Sequence, residues 1–474
     1  MKKFLTLALL IVSAFTFSAC QRKAPPETLV PAGQQIEFQI WTAQEKGFIE
    51  ALLREFISEY KTTAIRPKVI EFADDAELQD FLVQKMAEGT GPDVVFTQGE
   101  WVAMNTKKLV PVTGDASFTP AAFTNTFVRA ASETMVRDEQ IYGIPMAVDS
   151  LAVFYNEEYL VDALEDRNTP ADNWKEFKLD AEALSEQDNS FERFAVSGAA
   201  LGRTDNVTYG FEILHNMLIQ WGAEFFSPDG MRALFASSTG VSPYGGKINY
   251  GADALETFTS FADARFKNFA WSKFLSSPQD KDKDLTAFVA GKTAMVFGMS
   301  RDIERIEDMA ARTGGSISAK NVRVAMFPQY KVPGKPTSKE IIGYPYGLVV
   351  PRTSENADTA WKFLKFAAKK ENQISFWTET GMPTARLDLI AEQASHPELG
   401  VFARQAKFAR AQVYPVNMAD LERTFSELVE DINDGNMAPE KGLRNLERDW
   451  SGVADKYAKR EKAIENQVKK ASSQ

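Results

Sequence analysis

The amino-acid sequence predicts an α/β protein with more than one hydrophobic core. Its 474 residues exceed what one ordinary core organises. From Ile36 onward the hydrophobic pattern alternates between the period of a strand and the period of a helix. The run Val94-Val95-Phe96, after Asp93, is continuously apolar between turn signals, as expected of a strand covered by helices on both faces.

The elements follow in order. Ile36, Phe38 and Ile40 alternate with Glu37 and Gln39, which predicts a strand. Phe48, Leu52, Phe56 and Tyr60 are spaced by four and predict a helix. Arg66–Phe72 is a second strand, and Leu78, Phe81, Leu82 and Met86 form a second helical stripe. Gly89-Thr90-Gly91-Pro92 ends that helix before the third strand. Strand, helix, strand, helix, strand implies parallel pairing through right-handed crossovers. From about Glu157 to Ala287 the chain is more helical, with Tyr209–Phe226 and Ala252–Phe266 as predicted helices. Val322, Val324 and Met326 alternate as a strand, Tyr346–Val350 is another, and Asp358–Lys370 is a helix. From Met418 the pattern is helical again. Asp434-Gly435 closes one helix and Pro439 opens the next.

The first residues carry a targeting signal. Lys2 and Lys3 precede an apolar stretch, Phe4 to Phe17, which is too short to span a bilayer. Ser18-Ala19-Cys20 resembles a lipobox, with Phe17 where Leu is usual. Cys20 is the single cysteine, so it has no internal disulfide partner. The expectation is a lipoprotein signal at 1–19, a lipidated Cys20 that anchors the protein to the membrane at the extracytoplasmic face of the cell envelope, and a Pro-rich tether over 20–35. Residues 461–474, rich in Lys, Ser and Gln, are expected to form a frayed tail.

Composition narrows the function. A formal charge of −11 argues against a nucleic-acid partner. Hydrophobic residues at 44% and charged residues at 25% fit a folded, water-soluble body. His215 and His396 lack metal-ligand spacing, and no nucleophile elbow, dinucleotide fingerprint or P-loop is present. No catalytic residue, metal or cofactor is assigned. A glycosidase with paired carboxylates is the rival reading, and the 65 acidic residues single out no such pair. A non-transport surface sensor or scaffold is a third reading.

Several segments together resemble the extracellular solute-binding proteins of ABC importers, the family that includes maltose-binding protein. They are Gly91-Pro92-Asp93-Val94-Val95, Tyr142-Gly143-Ile144-Pro145 with Tyr155-Asn156, Phe288–Met295, Gly343–Pro351 with Ala360-Trp361-Lys362-Phe363, Gly381-Met382-Pro383, and the closing stretch Asn433–Gly442. The resemblance implies a periplasmic-binding-protein-like fold of type II: two α/β lobes, each with a parallel-dominated sheet flanked by helices, around a ligand cleft at the hinge. One lobe would be 36–148 plus 345–382, the other 150–343 plus 383–460. It also implies a monomer that closes on a small polar solute, most simply a mono- or oligosaccharide, and hands it to the permease subunits of the transporter.

Candidate site residues follow from two rules. Ligands of open α/β sheets bind beyond the carboxyl ends of strands. Sugars want aromatic faces for their C–H surfaces and carboxylates or amides for their hydroxyls. Trp41 follows the first strand, and Gln98, Glu100 and Trp101 follow the third; each aromatic could instead pack under its loop. The resemblance adds Asp149 and Ser150 at the first crossing, where the acid could also serve an inter-lobe bridge. It adds Met299 and Arg301 after the strand at Ala294–Gly298, in a place where relatives often carry Trp. It further adds Tyr344 and Tyr346 at the second crossing, Met382 at the third, and Tyr414 and Asn417 before the C-terminal helices. Asn216 on the middle helix completes the set, beside His215, read as structural.

Overall fold

The computed structural model describes Leu29 and residues 34–113, 118–187, 194–241, 246–313, 317, 319–330 and 339–471, with 461–471 as backbone. The signal segment, Cys20 and most of the tether lie outside the described residues. Leu29 is buried, and its carbonyl accepts a hydrogen bond from the Thr359 hydroxyl.

The opening rhythm forms as predicted: β1 (Ile36–Thr42), α1 (Lys46–Glu59), β2 (Ile65–Glu71), α2 (Asp75–Ala87), β3 (Val94–Gln98) and α3 (Gly99–Met104). Strands β4 (Gly143–Asp149) and β5 (Ala152–Asn156) follow, with only Ser150 and Leu151 between them. Next come α4 (Gly210–Trp221), β6 (Met295–Gly298), α5 (Asp302–Thr313) and β7 (Val322–Met326). Strand β8 (Tyr344–Val349) leads to α6 (Ala357–Ala367), α7 (Lys370–Thr380), α8 (Met418–Asn433) and α9 (Pro439–Ala471). Shorter helices and strand pairs fill the intervals.

The first sheet runs β2-β1-β3-β8-β4. β1 is parallel to β2 and β3, whereas β8 is antiparallel to β3 and β4. Pro67 lies in β2, an edge strand, where its missing N–H forfeits no ladder bond. The second sheet runs β6-β5-β7, and both pairings are antiparallel. This corrects the expectation of a parallel-dominated sheet in each lobe. The reason is connectivity: β5 enters its sheet directly from β4 and runs away from the crossing, while β6 and β7 run back toward it.

Amphipathic helices close the faces. α1 buries Phe48, Ile49, Leu52, Leu53 and Phe56, and its Phe56 meets Phe363 of α6 at 5.4 Å in an edge-to-face contact. Fully burying one such ring contributes about 2–3 kcal/mol. α4 is apolar nearly all round and is buried on nearly every side, as an internal helix must be. It stops at Trp221, short of the predicted Phe226, because Gly222 adopts the left-handed conformation that ends helices. The single predicted helix over 358–370 is two, broken at Lys369 in extended backbone. α9 continues to Ala471, through the segment read as a frayed tail, since Glu, Lys, Ala and Gln there are strong helix formers.

Candidate functional site

The strand directions bring a defined set of loops to one gap. Tyr346 pairs with Gln98 at the end of β3, and Tyr344 pairs with Asp149 at the end of β4. In the second sheet Ala152 pairs with both Gly298 and Met326, so the exits of β6 and β7 lie at the entry of β5. Met299, Ser300 and Arg301 leave β6 at that point. The predicted residues on β3, β4, β6 and β8 are therefore gathered at the crossing between the sheets.

On the side of the first sheet, Gln98 is the organiser. Its amide donates to Asp75 Oδ2 and to the Tyr346 hydroxyl, 3.3 Å each, and its carbonyl oxygen faces Gln79 Nε2 at 3.5 Å. Asp75 opens α2, just after Asp74 has capped that helix by accepting from Glu77 N at 2.8 Å. Burial pushes the Asp75 carboxyl up to about 6, with Arg301, Tyr346 and Gln98 opposing. Burial likewise pushes Glu100 up to about 8, and the nearby Asp75 adds to it. Asp75 Oδ1 and Glu100 Oε1 are both buried without a hydrogen-bond partner.

On the facing side stands Arg301. It is exposed at the surface of the gap yet within reach of Tyr209, Tyr346 and Asp302. Partial desolvation of the guanidinium by the groups around it works against its charge, and those neighbours more than offset it, so it stays protonated. Asp302 anchors this corner by accepting from the Tyr209 hydroxyl and Met299 N, 2.8 Å each, and from Arg305 at 3.2 Å. Glu212 on α4 is pushed up to about 7, chiefly by burial and then by Glu422 of α8, with Arg301 and Lys283 opposing. The Tyr344 hydroxyl lies among Glu212, Glu100, Tyr414 and Glu422; burial first and these groups next hold it protonated, and it too is buried without a partner. At the mouth, Glu45 is pushed up to about 7 by burial and by Glu304 of α5.

Other predicted residues are spent on the scaffold. Asp149 is buried, and its carboxylate accepts from Ser150 N at 2.8 Å, from Ser300 N at 3.1 Å and from the Ser300 hydroxyl at 2.7 Å. It clamps the crossing to the start of the β6–α5 turn through Ser300. Ser150 Oγ accepts from Gln405 Nε2 at 2.8 Å, and Gln405 also donates to the Leu151 carbonyl at 2.9 Å. Asn216 accepts from Ile342 N at 2.8 Å and so pins the second crossing. Asn417 is exposed and caps α8 through Asp420 N at 3.1 Å. Met382 and Met299 are buried in the core. Trp41 is buried against Phe72 and Phe81, 5.3 Å each, with its Nε1 left unpartnered. Trp101 packs half-buried against the core.

Tyr414 stacks on Phe225 at 5.0 Å, and its hydroxyl meets His215 Nε2 at 2.8 Å. Burial lowers His215 to about 3, so it is neutral and structural. Tyr414 also lines a cavity of about 1000 Å³, with Met104 and Lys108 on one side and Phe225, Phe226 and Arg410 on the other. A separate pocket of about 500 Å³ beside Trp221 and Tyr330 includes none of the gap residues.

The sequence reading missed Asp75, Tyr209, Glu212 and Glu422. The carboxyl-end rule, applied to β2 as it was to β1 and β3, would have pointed to Asp75. The other three lie on or just before α4 and α8, and no local pattern marks them.

The model of the family described as bacterial extracellular solute-binding protein matches residues 52–401. The chain belongs to that family. Its members are receptors rather than enzymes, which sets the glycosidase reading aside. A binding protein of Brucella abortus is 21% identical over 379 residues, 78% of this chain and 81% of its own. Among solved structures, the GacH receptor of Streptomyces glaucescens, studied unliganded and with acarbose, is 19% identical with a TM-score of 0.67, covering 89% of this chain and 98% of its own. The sugar-binding protein MalE of Xanthomonas citri is 16% identical with a TM-score of 0.69, covering 91% of this chain and 100% of its own. At these identities the structures establish the α/β periplasmic-binding-protein fold.

Proposed function

We propose that this solute-binding protein is the extracytoplasmic receptor of an ABC import system. It captures a mono- or oligosaccharide between two lobes, 36–148 plus 345–382 and 150–343 plus 383–460, and acts as a monomer held to the membrane through lipidated Cys20. The observation that carries the reading is the set of partnerless buried polar atoms, Asp75 Oδ1, Glu100 Oε1 and the Tyr344 hydroxyl, in the gap between the sheets. A buried polar atom without a partner costs about 1–3 kcal/mol. A ligand rich in hydroxyls would supply these atoms with donors and acceptors. The relative that holds acarbose and the sugar-binding relative support the same class. Contacts made to both sides of the gap would shift the molecule toward a closed form that the permease engages.

The test is a calorimetric and thermal-shift screen of the membrane-extracted full chain against mono- and oligosaccharides, amino acids, peptides and polyamines. A sugar at a hundredfold excess over its dissociation constant should add about 2.7 kcal/mol of stability. The same preparation should lose its membrane association on Cys20→Ala. If the folded protein responds to amino acids or peptides and to no sugar, the proposal is wrong.

A further inference from the structure

Two of the partnerless buried polar atoms beside the gap are carboxyl oxygens, on Asp75 and Glu100, and both come from the side of the first sheet, where Trp41 Nε1 and Gln44 Nε2 at the end of β1 are donors without partners. The positive charge that acts on Asp75 is Arg301, across the gap and already shared with Tyr209, Tyr346 and Asp302. For Glu100 the charge that acts on it is Asp75, which is of the same sign. Further along the gap Glu212 and Glu422 repeat the pattern, acid against acid, with Lys283 and Arg301 opposing. A neutral polyol would satisfy the lone pairs with hydroxyl partners but leave nothing to offset the charge of these acids when they ionise. An ammonium group would satisfy both the lone pairs and the charge, and a hydrogen bond between charged groups is roughly twice as strong as a neutral one.

We infer that the solute is a basic sugar, a polyol whose protonated amine lies between the Asp75 and Glu100 carboxylates while its hydroxyls reach Tyr344 and Arg301. This rests on the sugar-receptor reading and narrows it. A cavity of about 1000 Å³ lies beyond Tyr414, which is near Tyr344, and is lined by none of Asp75, Glu100, Tyr344 and Arg301; further units of an oligomer would have to extend into it.

The test compares matched ligands on the full chain by titration calorimetry at pH 6.5: glucosamine oligomers of two to four units, about the span such a cavity admits, against their N-acetylated counterparts and malto-oligosaccharides. The N-acetyl forms keep ring, linkage and hydroxyls and replace the charged amine with a neutral, bulkier acetamide, so the malto-oligosaccharides serve as the neutral control without that bulk. The amine forms should bind roughly tenfold tighter, about 1.4 kcal/mol. Because Glu100 ionises near pH 8 in the free protein, amine binding should also release protons, seen as a heat that changes between buffers of different ionisation enthalpy. Glu100→Gln keeps the shape, removes the charge, and should bring the two ligand series to within about threefold of each other. Its melting curve checks that it folds. Neutral oligosaccharides binding as tightly as the amines, or tighter, would overturn this inference and leave the sugar receptor standing. Binding of amino acids or peptides alone would overturn both.

Discussion

Asp149 is where a residue's type suggested one role and its contacts assign another. An acid at a lobe crossing reads as a ligand contact, yet every hydrogen bond given to its carboxylate comes from Ser150 or Ser300. Burial pushes it up to about 6 against those donors. Asp149→Ala would leave two buried backbone N–H groups without acceptors, so a stability loss of roughly 2–4 kcal/mol is expected. The urea midpoint should fall at constant slope, and Asp149→Asn should recover part of the loss. Unchanged stability together with abolished ligand binding would instead make Asp149 a ligand contact. The same distinction limits what the sequence reveals of the site. Gln98, Glu100, Arg301 and Tyr344 were legible because they follow or open strands at the crossing. Trp41, Asn216 and Asn417 have the right chemistry in the right neighbourhood, but packing or capping uses them. Glu212 and Glu422 were illegible because a helix residue reaches the gap only through how helices pack, and the helical period of each sequence says which face is polar, not what that face meets.

At the scale of elements, the parallel half of the first sheet was readable because it repeats one local unit, strand then helix, and the crossover rule fixes its sense. The antiparallel members, β8 in the first sheet and all of the second, depend on pairings between segments far apart in the chain, such as Gln98 with Tyr346. Periodicity finds such strands but cannot orient them. The pairing of β8 with β4 also contains an irregularity no pattern announces: the register shifts between Tyr346 and Gly347, leaving Met146 unpaired. A bulge of this kind re-aims the side chains beside it, here Tyr344 and Tyr346 at the gap. Gly347 permits the close approach it requires, since a Cβ there would lie 2.4 Å from the Ile144 carbonyl oxygen and 2.9 Å from Pro145 Cα, both backbone atoms. Gly347→Ala should therefore cost about 1–3 kcal/mol in denaturation. It should also weaken ligand binding by turning the two tyrosines. A variant of wild-type stability would mean that the bulge relaxes freely and does not set the tyrosine positions.

Taken as one molecule, the protein carries its acids in an arrangement that makes stability depend on pH in a definite direction. Asp75, Asp149 and Asp284 are raised to about 6, Glu45 and Glu212 to about 7, and Glu100 to about 8, from ordinary values of 3.8 and 4.5. In every case burial is the leading cause. The folded state therefore binds more protons than the unfolded state over that window, so this contribution is complete below about pH 4 and is lost as pH rises through about 6 to 8. His215 works in the opposite sense. Its ordinary value is 6.5 and its folded value about 3, so its contribution is present above pH 6.5 and is lost as pH falls below that. Six carboxyls outweigh one imidazole, so the melting temperature of the ligand-free protein should decline from about pH 5 to pH 8.5, with His215 only reducing the slope below pH 6.5. Glu100→Gln should flatten the decline between pH 7 and 8.5, and a saturating basic sugar should flatten it further, because an ammonium in the gap removes the cost of ionising Glu100 and Asp75. A saturating neutral sugar should raise the melting temperature across the range and keep the decline. Melting curves that rise steadily from pH 6 to 8.5 without ligand would show that these carboxyls are not held in a buried, uncompensated gap, and the electrostatic description of the site would have to be abandoned.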